Sequence, residues 1–247
     1  MRTALCLLAV ILLNCTPEKK KIDRNAQSDS GGSKVVKTKH ENGKPRAEIS
    51  FKDGKQHGLS RSFDRDGKLI LELPYVEGKR EGLSKKYFAG GKQLYQTTEY
   101  KKDKLHGIQT KYRENGKVMS EARYENDFPC LGLKEYLLDN SLKKQYPKIK
   151  ITPIDRLADR GEYYLEISMS DKVRSVKYYS GKLSPAGCLV EDLYFILLNQ
   201  NKKTGQLVYH LPPGGFKMEE VNIIAVVETL MGNTYVTQRT YNLAIDN

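Results

Sequence analysis

Asn42-Gly43-Lys44, Asp66-Gly67-Lys68, Gly90-Gly91-Lys92 and Asn115-Gly116-Lys117 open four copies of one phrase, about 24 residues apart. In each copy the x-Gly-Lys turn leads into an alternating stretch that ends on an aromatic: Phe51, Tyr75, Tyr100 and Tyr124. A polar turn follows, then a Gly (Gly58, Gly82, Gly107 and Gly132), then a second short run. Period-2 alternation marks a strand with two unlike faces. A fixed step on this scale marks an array of small supersecondary units, and such arrays present extended surfaces. The phrase predicts eight antiparallel strands joined by short turns.

The like-facing sets follow from the alternation. Ala47, Ile49 and Phe51 share one face; so do Leu69, Leu71, Leu73 and Tyr75; Leu94, Gln96, Thr98 and Tyr100; and Val118, Ser120, Ala122 and Tyr124. The second strands carry Leu59 and Phe63, Leu83 and Tyr87, Ile108 and Tyr112. The sheet need not enclose a core: one face is open to being covered by the rest of the protein, and the other is expected to show Lys, Arg, Glu and Ser. Asn-Gly, Asp-Gly and Gly-Gly accept positive φ and predict type I′ turns at the x-Gly-Lys end. Asp53-Gly54-Lys55, Glu77-Gly78-Lys79 and Lys102-Asp103-Lys104 fall at the other end.

Asp-Gly-Lys-Gln-His-Gly-Leu at 53–59, Glu-Gly-Lys-Arg-Glu-Gly-Leu at 77–83 and Lys-Asp-Lys-Leu-His-Gly-Ile at 102–108 resemble the MORN-variant repeat. Bacterial proteins with YwqK-type repeats of this kind are often labelled antitoxins. The resemblance covers roughly residues 42 to 137 and implies a β-hairpin sheet. The label implies an immunity-like inhibitor that blocks a partner enzyme, although likeness of fold does not carry function with it.

At the front, Arg2 and the apolar run Ala4 to Leu13 read as a signal peptide, too short to span a bilayer as a folded helix. The run ends in Leu12-Leu13-Asn14-Cys15, which resembles a bacterial lipobox; the resemblance implies cleavage before Cys15 and diacylglycerol on its thiol. The alternative is an ordinary signal peptide with an incidental Cys. Residues 16–41 are polar and rich in Lys, Ser and Gly, and read as a flexible tether. The four domains expected are thus a leader (1–15), a tether (16–41), the repeats (42–146) and a C-terminal domain (147–247).

The 247 residues carry a formal charge of +12 and only 38% apolar residues, with 16 Tyr, 6 Phe and no Trp. Amphipathic aromatics suit half-buried strands and wet binding faces. Export points the positive charge toward anionic envelope material or a protein and away from nucleic acid; the alternative is that Lys on exposed strands blocks edge pairing. Cys130 and Cys188 are left for one disulfide or for two unrelated buried thiols.

Past Pro147, seven candidate strands are legible: Lys148–Thr152, Glu162–Met169, Lys172–Tyr179, Cys188–Leu198, Gly205–His210, Val221–Thr229 and Thr234–Ile245. They predict an immunoglobulin-like or transthyretin-like sandwich, with a helix over Leu189–Leu198 as the alternative. Leu211-Pro212-Pro213-Gly214-Gly215-Phe216 predicts a rigid loop that places Phe216 at a sandwich end or as a cap on the core.

His57 and His106 occupy equivalent places, but Glu81 and Leu131 fill the other two, as suits a solvated turn position. No nucleophile elbow, zinc-protease helix or phosphate loop is written here. The expectation is an all-β, non-enzymatic envelope lipoprotein with no catalytic residue, metal or cofactor, held to the membrane through lipid on Cys15. Its binding face is read as Lys52, Arg61, Lys68, Lys85, Lys86, Lys111 and Arg113 with Tyr75, Tyr87, Tyr100, Tyr112 and Tyr124.

Overall fold

The computed structural model describes residues 25–28, 32–196 and 203–247. Cys15, the leader and most of the tether lie outside the described residues. Thirteen strands form one antiparallel sheet: β1 (Asn25–Ser28), β2 (Ser33–Lys39), β3 (Pro45–Lys52), β4 (Lys55–Gln56), β5 (Gly58–Phe63), β6 (Leu69–Val76), β7 (Lys79–Arg80), β8 (Gly82–Tyr87), β9 (Leu94–Lys101), β10 (Lys104–Tyr112), β11 (Val118–Glu125), β12 (Phe128–Pro129) and β13 (Lys134–Glu135). The array begins earlier than expected. Residues 25–28 and 33–39, read as tether, are strands, and β2 pairs with β3 along its whole length. Lys34-Val35-Val36-Lys37 hid this strand, because two adjacent apolar residues break the alternation.

The turns exchange roles. Positive φ at both central residues, the type I′ requirement, occurs at Asp53-Gly54, Glu77-Gly78, Lys102-Asp103 and Asn126-Asp127. The x-Gly-Lys turns are longer loops closed by pairs such as His40 N to Lys44 O (2.8 Å) and Gly43 N to His40 O (2.9 Å). Just past each of them one residue is left unpaired by the register: Arg46, Ile70, Tyr95 and Met119. Such bulges sharpen the strand twist, and here they recur once per repeat. At the opposite end each type I′ tip hydrogen-bonds the preceding repeat: Gly78 N to Gln56 O (2.8 Å), Asp103 N to Arg80 O (3.0 Å) and Asp127 N to Leu105 O (2.9 Å).

The rest of the protein covers one face only at the end of the array, where Lys111 and Ser120 meet Gly232 and Asn233. Among the described residues no apolar side chain of the array before Ala122 is fully buried. The repeats are a single layer held by register, turns and cross-strand pairs.

The rest of the chain is β14 (Ile149–Arg156), α1 (Leu157–Arg160), β15 (Glu162–Met169), β16 (Ser175–Ser180), β17 (Tyr194–Ile196), β18 (Gly205–His210), β19 (Phe216–Glu228) and β20 (Thr234–Asp246). Two sheets, β14-β15-β18 and β17-β16-β19-β20, enclose Leu165, Ile167, Tyr178, Ile223, Ala225, Val227 and Leu243. This three-plus-four order, with the chain crossing between sheets after β15, β17 and β18, is immunoglobulin-like. The Leu189–Leu198 segment is not helical over its described residues, which include β17. Phe216 is 72% exposed and caps no core.

Candidate functional site

Counting the register across the array assigns the paired strand residues to a face. Lys37, Glu48, Arg61, Glu72, Lys85, Thr97, Thr110, Glu121 and Lys134 are successive direct partners and form one row. Charges alternate along it. Lys37 meets Glu48 at 3.1 Å, Arg61 meets Glu48 at 3.8 Å and Glu72 at 3.1 Å, and Lys134 meets Glu121 at 3.6 Å. Burial pushes the Glu72 carboxyl up, but hydrogen bonds from Tyr87 and Arg61 and the nearby Lys85 outweigh it and hold it below the ordinary carboxylate range. Tyr87 Oη donates to Glu72 Oε2 at 2.8 Å, and Tyr136 Oη to Glu121 Oε2 at 3.1 Å. The acidic positions (48, 72, 97, 121) and basic positions (61, 85, 110, 134) are equivalent places in the repeat. In the third copy both members become Thr together, and a Thr–Thr pair is itself a favourable cross-strand pair.

The other face is built differently. Tyr75 lies opposite Gly58, Tyr100 opposite Gly82 and Tyr124 opposite Gly107. With Phe51 they form a row of aromatics alternating with the repeated glycines. Next to it run Ile49, Ser60, Leu73, Ser84, Thr98, Gln109 and Ala122, and then Ala47, Ser62, Leu71, Lys86, Gln96, Lys111 and Ser120. All five glutamates on strands β2 to β11, at positions 48, 72, 99, 121 and 125, fall on the ladder face. The aromatic face of those strands has no carboxylate.

The residues expected to form one basic, Tyr-rich face are therefore divided. Lys52, Arg61, Lys85, Tyr87 and Tyr112 belong to the ladder face; Lys86, Lys111, Tyr75, Tyr100 and Tyr124 belong to the aromatic face; Lys68 and Arg113 sit in turns. Strand alternation forces this, since Lys85 and Lys86 are neighbours in sequence. Two of the set are internal supports. Arg113 donates from Nη1 to Val118 O (3.0 Å) and from Nη2 to Tyr136 O (2.5 Å). Lys111 is half-buried and donates to Gly232 O (3.0 Å) and Asn233 Oδ1 (2.9 Å), and burial lowers its pKa.

Lys111 thus belongs to the seam between array and sandwich. Glu135, fully buried, accepts from Thr229 Oγ1 (2.5 Å), Asn233 Nδ2 (2.8 Å) and Lys143 Nζ (2.8 Å), and Ser120 Oγ donates to Asn233 Oδ1 (3.0 Å). Burial pushes the Glu135 carboxyl up, but these donors outweigh it and hold it below the ordinary range. Cys130 and Cys188 are joined in a disulfide, flanked by Leu131 N to Gly187 O (2.8 Å) and Leu189 N to Pro129 O (3.1 Å). Phe128 and Leu131 of the array pack on Leu189, Ile224 and Val236 of the sandwich.

His57 and His106 each bury Nδ1 without a hydrogen-bond partner among the described residues. His106 lines a shallow hollow of about 420 Å³ with Glu81, Leu83, Glu99, Tyr100 and Lys101. Among the described residues no group of three His, Cys, Asp or Glu is placed to hold a metal ion.

Residues 34–53, 56–77 and 105–126 match the family described as MORN repeat variant. The matched segments fall on the first, second and fourth copies of the phrase, with the first starting in β2, and they cover well under half of the chain. The turn and first strand of the third copy, with the Phe88-to-Gln93 loop and Thr97, lie in the unmatched stretch 78–104, while its second strand with Thr110 falls inside the last match. No curated protein matches the chain.

Proposed function

We propose that this chain is a non-enzymatic, lipid-anchored binding module of the bacterial cell envelope, with the lipid on Cys15 and the repeat sheet as the binding element. One observation carries the reading: a single-layer sheet, open on both faces through its first three repeats, is fixed at one end to a sandwich by a disulfide, an apolar seam and a buried polar cluster. A layer with no core of its own has no cleft in which to exclude water from a reaction. It does offer a long, pre-ordered surface, and pre-ordering lowers the cost of binding. The net positive charge favours an anionic envelope polymer or an acidic protein.

Two measurements test this. The full chain is labelled with radioactive palmitate in its host, where wild type is expected to carry label that Cys15→Ala lacks; equal labelling would remove the anchor. The full chain is then used to capture material from solubilised envelope at low and high salt. An envelope component held at low salt and released at high salt is expected, and recovery no better than a blank support would sink the binding reading.

A further inference from the structure

We infer that the aromatic face of the array binds an extended acidic glycan laid across the strands along the row Phe51, Tyr75, Tyr100 and Tyr124. The inference rests on the binding-module reading and names its ligand and surface. Successive aromatics are two strands apart in the sheet order, so the row repeats at about 9.5 Å. A disaccharide of an extended chain advances by about that much, so every second sugar meets a ring. Sugars stack their C–H faces on aromatic rings, and Tyr75, Tyr100 and Tyr124 are each paired on one side with a glycine, Phe51 with Lys34 and Gln56. The hydroxyls of Tyr75, Tyr100 and Tyr124 make no hydrogen bond among the described residues, which leaves them for sugar hydroxyls.

Charge selects an acidic glycan over a neutral one. Lys34 Nζ lies 5.7 Å from the centre of the Phe51 ring, the Arg80 guanidinium 4.4 Å from that of Tyr100, and Lys86 is exposed two rows away. Arg80 is already paired with Asp103 at 3.3 Å, whereas Lys34 and Lys86 form no ion pair with a carboxylate among the described residues, so these two lysines are the cations left for an acidic sugar. The sandwich hairpin around Gly232 and Asn233 touches Lys111 and Ser120 and closes one end of the face. A polymer therefore enters from the β2 side. A protein partner would be drawn to exposed apolar side chains, but Val35, Val76, Leu83 and Ile108, the most exposed of the array strands, are on the ladder face.

The test is calorimetric titration of the full chain with polygalacturonate at physiological salt, with dextran, polyphosphate and a single-stranded oligonucleotide as comparators. Polygalacturonate is expected to bind and dextran not to. Tyr100→Ala is expected to weaken binding about tenfold, as for loss of one stacked ring. That ring also supports the sheet, so exposed lysines supply the second arm: Lys34→Gln and Lys86→Gln weaken binding several-fold, whereas Lys37→Gln, on the ladder face, leaves it unchanged. Equal loss in all three lysine variants, equal binding of polyphosphate or the oligonucleotide, or no binding of polygalacturonate would overturn the inference. If envelope capture succeeds while polygalacturonate fails, only the glycan assignment falls; if both fail, the binding module falls with it.

Discussion

In the sandwich core, Leu165, Ile167, Tyr178, Ile223 and Ala225 are 0% exposed; in the array, Leu71, Leu73 and Tyr75 stay half-open although their strands are as regular. Both regions are antiparallel sheet. One is stabilised by water excluded between two layers, the other by what happens within a layer: paired charges, cross-strand pairs, and turns whose tips bond the neighbouring repeat. The difference bears on function. A face that folding does not bury remains for a ligand, and a layer without a core needs an anchor at its end, which the seam at Glu135 and Cys130–Cys188 supplies.

The comparison breaks most visibly in the cores. Leu165→Ala or Ile223→Ala should cost about 2–5 kcal/mol, the range for a buried aliphatic, whereas Leu71→Ala in the array should cost about 1 kcal/mol. Chemical denaturation of the three variants measures this. Equal losses would mean that the array has a hidden partner layer.

The seam comes next. Glu135→Ala strands Lys143, Thr229 and Asn233 and should cost about 3 kcal/mol. Its pH dependence has a definite sign. The folded carboxyl titrates below its ordinary value of 4.5, so the unfolded chain takes up the proton first as pH falls. The stabilisation is complete above the ordinary value and is lost as pH drops through the folded one. Melting temperatures of wild type and Glu135→Gln should differ most near neutrality and converge in acid; a gap that does not narrow would show that Glu135 stays uncharged.

Smaller still is the glycine row. Gly107 has φ +97°, and a Cβ there would run into the Glu99 side chain on the ladder face. Gly107→Ala should lose about 1–2 kcal/mol from the backbone alone. If Glu99→Ala restores the loss in full, side-chain crowding is the cause; if it restores none, the left-handed backbone is.

Much of this architecture was legible in the chain, and the gaps have physical causes. Glu162–Met169 and Gly205–His210 alternate cleanly between firm turns, and their strands end where the pattern does. β19 starts at Phe216, ahead of the expected Val221, because Phe216 to Glu220 pair with β20 on an exposed ribbon where burial writes no pattern. β2 was hidden by tether-like composition. The charge ladder was readable in principle by stacking positions 48, 72, 97 and 121 over 61, 85, 110 and 134. What obscured it was treating all exposed Lys and Arg as one face, when strand alternation and the register decide which glutamate each one meets.

The ladder gives the finest test of how a layer without a core holds together. Its third repeat is the natural control, because Thr97 and Thr110 interrupt an otherwise alternating row. Thr97→Glu with Thr110→Lys should extend the alternation from Lys85 to Glu121. In a double-mutant cycle the two should couple favourably by about 0.2–1 kcal/mol, and the coupling should shrink at high salt. Thr97→Lys, which sets like charge against Lys85, should destabilise at low salt and recover as salt rises. A coupling of zero at low salt would mean that the glutamates are placed on this face only to keep them off the other, and that the row does not itself stabilise the layer.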